Sequence, residues 1–76
     1  ISKEIFQIYE NAKNNNVIVN SILFENSKLL LVLESKKKNG IYNLLTSIEN
    51  SLLDDMQYNK EEKRYKAYVS YKISRN

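Results

Sequence analysis

Chemistry in this 76-residue chain has to come from carboxylates, lysines and tyrosines, because histidine and cysteine are both absent. Their absence removes the side chain that most often moves protons near neutral pH, the thiol nucleophile and the two commonest zinc ligands. Acids are adjacent at two places, Asp54-Asp55 and Glu61-Glu62. Each pair falls at a predicted element boundary or turn, where solvent bathes it. There is no glycine-rich phosphate loop, nucleophile elbow or metal-ligand spacing, and Gly40 is the only glycine. No catalytic residue, cofactor or metal is therefore expected, and the chain does not read as an enzyme.

What remains is binding. Twelve basic and 9 acidic residues leave a mild net charge of +3. Lys36, Lys37 and Lys38 form the one dense basic run. A solvated loop is the plain reading of such a run, and a patch for phosphate or lipid headgroups is the other. No apolar stretch approaches the roughly 18 residues of a membrane span. The chain begins at Ile1 rather than Met. A trimmed or processed product is expected, with any membrane attachment made through a segment outside it.

The elements that would position a binding surface follow from hydrophobic period. Ile1, Ile5, Ile8 and Ala12, with Tyr9 beside them, predict a helix over 2–14, with Ser2 as its N-cap and Asn14 to Asn16 as its stop. β-Branched and aromatic residues dominate 17–25, and Asn20-Ser21 interrupts the alternation, where a bulge or a switch of buried face is expected. After a short turn at 26–28, Leu29 to Leu33 are apolar at every position, which suits a central strand. Ile41, Leu44, Leu45, Ile48 and Leu52, with Leu53, predict a second helix over 39–53, capped by Asn39 and ended at Asp54-Asp55. Residues 56–60 and 64–74 predict a second hairpin. Tyr65, Ala67, Val69, Tyr71 and Ile73 point to one side, and Arg64, Lys66, Tyr68, Ser70 and Lys72 to the other.

The expected fold is thus a single α+β domain over 1–76, of order α-β-β-α-β-β. A four-stranded antiparallel sheet would carry both helices on one face, as in a circularly permuted ferredoxin-like fold. The first and third strands would be edges. Two helices cover one sheet face, so the other must meet water or a partner. By strand parity that face presents Leu30, Val32, Lys66, Tyr68 and Lys72, an apolar ledge rimmed by lysines and suited to a protein partner. Strand addition at an edge, 17–25 or 56–60, is the alternative docking mode. The rival reading is a basic nucleic-acid-binding sheet using the same open face. Tyr68, Lys66 and Lys72 favour it. The missing aromatic-and-glycine signature, and the placement of Tyr65 and Tyr71 on the covered side, oppose it.

One family shares the pattern. It combines a leading helix and an Asn-rich turn with Val17-Ile18-Val19-Asn20-Ser21-Ile22 and Lys28-Leu29-Leu30-Leu31-Val32-Leu33. The helix Ile41-Tyr42-Asn43-Leu44-Leu45-Thr46-Ser47-Ile48-Glu49 and the run Tyr65-Lys66-Ala67-Tyr68-Val69-Ser70-Tyr71-Lys72-Ile73 complete it. This resembles the periplasmic ferredoxin-like domain of the PilO-like and GspM-like proteins of type IV pilus assembly and type II secretion. The resemblance lies in element order and hydrophobic pattern across nearly the whole chain, without a signature residue. It implies a periplasmic domain of an inner-membrane protein. That domain would have no catalytic residues and would form a homodimer or pair with a related subunit.

Overall fold

The structure, a computed structural model, describes residues 2–48 and 50–73, with side chains from Lys3 onward. Ile1, Glu49 and Ser74, and the capping role expected of the Ser2 side chain, lie outside that description. Helix α1 spans Ser2–Asn14, strand β1 Ile18–Glu25, strand β2 Lys28–Ser35, helix α2 Lys38–Ser47, strand β3 Ser51–Asn59 and strand β4 Arg64–Lys72. The strands lie in the order β1-β2-β4-β3, with every neighbouring pair antiparallel. This is the strand order of a circularly permuted ferredoxin-like sheet, and β1 and β3 are its edges.

Alternation on the central strands decides where the core sits. Leu29, Leu31 and Leu33 of β2 are fully buried, as are Ala67 and Val69 of β4. Ile8 and Ala12 of α1 and Ile41 and Leu44 of α2 close over them. Each of the larger residues is worth about 1.5–3 kcal/mol on leaving water, so register is held where β2 meets β4. The expected core tyrosines, Tyr65 and Tyr71, are half-buried against this cluster. Tyr9, expected beside the α1 stripe, is exposed instead.

Helix α2 is shorter than its apolar pattern predicts. It stops at Ser47, and Ile48 already has extended backbone (φ −114°, ψ 115°). Asn50 takes a left-handed φ of 64° that turns the chain. The Ser51 hydroxyl reaches back to the carbonyl oxygens of Ile48 (2.9 Å) and Leu45 (3.2 Å), the second of which also accepts the Ile48 amide (3.2 Å). Strand β3 therefore begins at Ser51, not at 56. Leu52 and Leu53 belong to a strand, with Leu53 half-buried and Leu52 64% exposed. Asp54-Asp55 sits inside β3 rather than at a helix end. At the other end, α2 begins at Lys38, so Asn39 is within its first turn and Lys37 holds the N-cap position. The buried Ser35 hydroxyl organises this entry by donating to Lys37 O (2.8 Å) and accepting from Lys37 N (3.2 Å).

The fold is an internal duplication of one α-β-β unit. Each helix is followed by an asparagine at positive φ, Asn16 (57°) or Asn50 (64°). Four residues later comes a bulge, at Asn20 between Val19 and Ser21 and at Asp54 between Leu53 and Asp55. Each bulged side chain then bonds the equivalent residue of its central strand. Asn20 Nδ2 donates to Glu34, and Ser70 Oγ donates to Asp54. Equivalent positions include Ile18 and Leu52, Leu23 and Gln57, Leu30 and Lys66, and Val32 and Tyr68, so the repeat is one of geometry and not of residue identity.

Two substitutions test local geometry. A Cβ on Gly40 would sit 2.7 Å from the Asn15 carbonyl oxygen and 3.0 Å from Ser35 Oγ. Overpacking of this kind costs about 1–3 kcal/mol, against about 1 kcal/mol gained in helix propensity. Gly40→Ala should therefore lower stability in urea unfolding despite lying in a helix. The β1–β2 turn holds both Asn26 (52°) and Ser27 (62°) at positive φ, as a type I′ turn requires. Ser27→Gly relieves that cost and should raise stability by about 0.5–1 kcal/mol in the same assay.

Candidate protein-docking face

The sheet face away from the helices is assembled row by row from the register. Opposite one another lie Leu23 and Leu30 on β1 and β2, Leu30 and Ser70 on β2 and β4, and Ser70 and Leu52 on β4 and β3. The next row runs Ser21, Val32, Tyr68, Asp55. A shallow groove of about 360 Å³ follows these rows, lined by Ser21, Leu23, Leu30, Val32, Asp54 and Tyr68. Leu30, Val32 and Tyr68 are thus brought together as strand parity predicts, half-buried by their neighbours and uncovered by either helix. Val32 and Tyr68 are direct cross-strand partners, a pairing that favours aromatic on β-branched side chains.

The lysines frame the groove but do not line it. Lys66 is half-buried, one row beyond Tyr68, and opposite both Glu34 and Gln57. Lys72 is exposed at the other end of β4, opposite Lys28. The two ends are alike in charge. Glu34 accepts from Asn20 and lies 3.7 Å from Arg64, so beside Lys66 and Arg64 it leaves that end cationic. Lys28 and Lys72 face each other at the opposite end, which is cationic beyond the nearby Glu25. Asp54 and Asp55 lie along the β3 side. Asp54 accepts from Ser70, and Asp55 accepts from Met56 N (2.9 Å) and Gln57 Nε2 (3.2 Å).

Two leucines enlarge the ledge beyond the sequence expectation. Leu23 is 55% exposed, and it faces this side because the Asn20 bulge shifts the parity of β1. Leu52 reaches the face because it lies on β3. The Asn20-Ser21 interruption is the sequence signal for Leu23. For Leu52 the signal is Asn50-Ser51, a turn-and-cap pair inside an apparently helical stripe.

Among the described residues, Tyr68 is the one aromatic on this face. Register puts Phe24 opposite Leu29 and Tyr58 opposite Tyr65, both toward the helix side. The Tyr58 and Tyr65 rings meet at 4.7 Å between centroids, and Lys38 Nζ sits 5.6 Å from the Tyr65 ring centre. A file of stacked bases would find a single ring here. The basic run, Lys36 to Lys38, is exposed. Lys36 and Lys37 border a separate groove of about 620 Å³ with Asn15, Asn39, Asn43 and Arg64.

Comparison with protein-family models, with curated proteins and with solved structures gives no match. No helix among the described residues is long and apolar enough to cross a membrane.

The face assignment has a direct energetic test. Leu31, on the covered side, is 2% exposed, and Leu31→Ala should cost about 2–5 kcal/mol in chemical denaturation. Leu23→Ala, on the open side, should cost less than about 1 kcal/mol. The reverse ranking would mean that the sheet packs the other way.

Proposed function

We propose that this chain is a non-catalytic protein-interaction domain that docks a partner on the open face of its sheet. One observation carries the reading: Leu23, Leu30, Val32 and Tyr68 form one apolar ledge that neither helix covers, with Leu52 beyond Ser70 on the same face. Burying apolar area drives association, and tyrosine at its centre supplies a broad contact with a polar tip. The cationic residues at both ends, Lys28 with Lys72 and Lys66 with Arg64, favour a partner whose apolar anchors are flanked by acidic side chains. A standard interface removes about 800 Å² per partner, so the partner would span most of the face and not the groove alone.

A finer placement follows from element order and hydrophobic pattern. It makes this the periplasmic domain of an inner-membrane subunit in a type IV pilus or type II secretion platform, with a related subunit as the partner. The permuted ferredoxin-like topology supports that placement. The nucleic-acid reading has less support, since Tyr68 stands alone as a stacking platform and Glu34 and Asp55 lie on the same face.

Selection from a library of displayed peptides tests the docking surface. Binders should be enriched in apolar residues flanked by acids. Val32→Lys should weaken them by at least about tenfold, or about 1.4 kcal/mol, with the circular dichroism spectrum unchanged. Tyr68→Ala should act in the same direction. Binders indifferent to both substitutions would show that the ledge is not the docking site.

A further inference from the structure

The two edge strands are equivalent in the internal duplication but are not equally protected. Strand β3 carries Asp54 and Asp55 at its middle, and charges on an edge discourage pairing with another chain. Strand β1 reads Ile-Val-Asn-Ser-Ile-Leu-Phe-Glu, with no lysine, no proline and one charge, at its last residue. Beyond its bulge, residues 21–25 form a regular stretch that ends the sheet with its outer backbone edge unpaired by any strand. Leu23 and Phe24 in that stretch are 55% and 44% exposed on opposite sides of the sheet.

Helix α1 extends the same edge. Its Glu4, Gln7 and Asn11 border a groove shared with Ser47 and Ile48 at the end of α2. The opposite flank of α1 therefore faces away from α2, toward the β1 side. That flank carries Phe6 and Tyr9, three residues apart and both more than half exposed.

We infer that the β1 edge pairs with the β1 edge of a second copy of this chain, antiparallel and about a two-fold axis at Leu23. In that register Leu23 meets its own mate on the open face, and each exposed Phe24 meets the partner copy's Ile22 on the helix side. Charge selects the antiparallel sense. The two Glu25 carboxylates would stand four residues apart along the strands, about 13 Å, beyond the Debye length of about 8 Å at physiological salt. A parallel pairing would set them about 4.8 Å apart. Symmetry selects the second copy, because β1-on-β1 closes at a dimer with only the charged β3 edges left outside, whereas β1-on-β3 leaves a β1 edge open to further addition and faces Asp54-Asp55.

The area suits a modest dimer. Phe6, Tyr9, Leu23 and Phe24, each roughly half exposed, offer together at most on the order of 400 Å² per copy. Ordered backbone and the polar neighbours add to this, toward the low end of the range for specific interfaces, about 600 Å² per partner.

Sedimentation velocity on the 76-residue chain from about 5 μM to 1 mM should show monomer and dimer in concentration-dependent exchange. Leu23→Lys and Phe24→Lys should weaken the dimer at least about tenfold. Val32→Lys and Tyr68→Ala should leave it within about twofold, which separates this edge from the open face. The absence of cysteine allows a second readout with oxidised glutathione. Leu23→Cys should form a disulfide-linked dimer, and Gln57→Cys, its equivalent on β3, should not. A strict monomer at 1 mM overturns the inference. So does a dimer that is lost with Val32→Lys but kept with Leu23→Lys, or cross-linking of Gln57→Cys as fast as that of Leu23→Cys.

Discussion

The pairing of β2 with β4 constrains everything else in this molecule. Leu29, Leu31 and Leu33 lie opposite Tyr71, Val69 and Ala67, and this inward set forms the floor on which both helices rest. A slip of one residue would exchange it for Leu30, Val32 and Glu34. A carboxylate would then lie under the helices, and three leucines would lie in water. The penalty is several kcal/mol, comparable with the whole stability of a domain this small. Once the register is locked, the composition of the outer face is no longer free, because whatever alternates with the core must appear there.

Duplication explains why that outer face is lopsided. The two halves share their helix-to-strand turns, bulges and bulge-to-strand hydrogen bonds, so equivalent positions sit in equivalent places. Their residues differ in kind. Leu23 and Leu30 in the first half stand where Gln57 and Lys66 stand in the second, and Val32 stands where Tyr68 does. An approximately symmetric scaffold therefore has an apolar half-face and a polar half-face. The same divergence distinguishes the edges, since Asn20-Ser21 on β1 occupies the positions of Asp54-Asp55 on β3. The bulges themselves are tolerable because they lie on edge strands, where an unpaired residue disrupts one neighbour and not two.

Much of this architecture was legible in the sequence because the strongest periods were the deciding ones. Strand β4 alternates cleanly, β2 is apolar throughout, and α1 ends at a cluster of asparagines. Their order led to the topology, and parity led to Leu30, Val32 and Tyr68. The start of β3 was not legible, for a definite reason. Ile48, Leu52 and Leu53 satisfy a helical stripe, while Leu53 and Met56, on either side of a bulge, satisfy a strand only if the bulge is known. The choice was made by Asn50 turning left-handed and by Ser51 binding carbonyls of the preceding helix, which are three-dimensional facts about two small polar residues. In the sequence the acidic pair marks a helix end because it breaks the apolar stripe, and acids are also poor strand formers. On an edge strand, with Ser70 and the Met56 amide as donors, that objection weakens. The duplication was hidden because it conserves backbone conformation and leaves side-chain chemistry free.

The open face and the β1 edge are mechanically independent surfaces that meet at one residue. Strand pairing acts in the plane of the sheet through backbone groups, whereas docking acts along its normal through side chains, so using one does not obstruct the other. Leu23 belongs to both. If β1 pairs with its counterpart, Leu23 of each copy becomes interior to a continuous eight-stranded sheet, and the two ledges join across the axis. With strands about 4.8 Å apart, the span from one Tyr68 to the other crosses five strand spacings, or about 24 Å of largely apolar floor with cationic residues toward both ends. A ledge too small on one copy to account for a standard interface would then become half of a surface that is large enough. The asymmetry of each monomer's outer face, apolar toward β1 and polar toward much of β3, is the arrangement that places the combined apolar area at the centre of such a sheet.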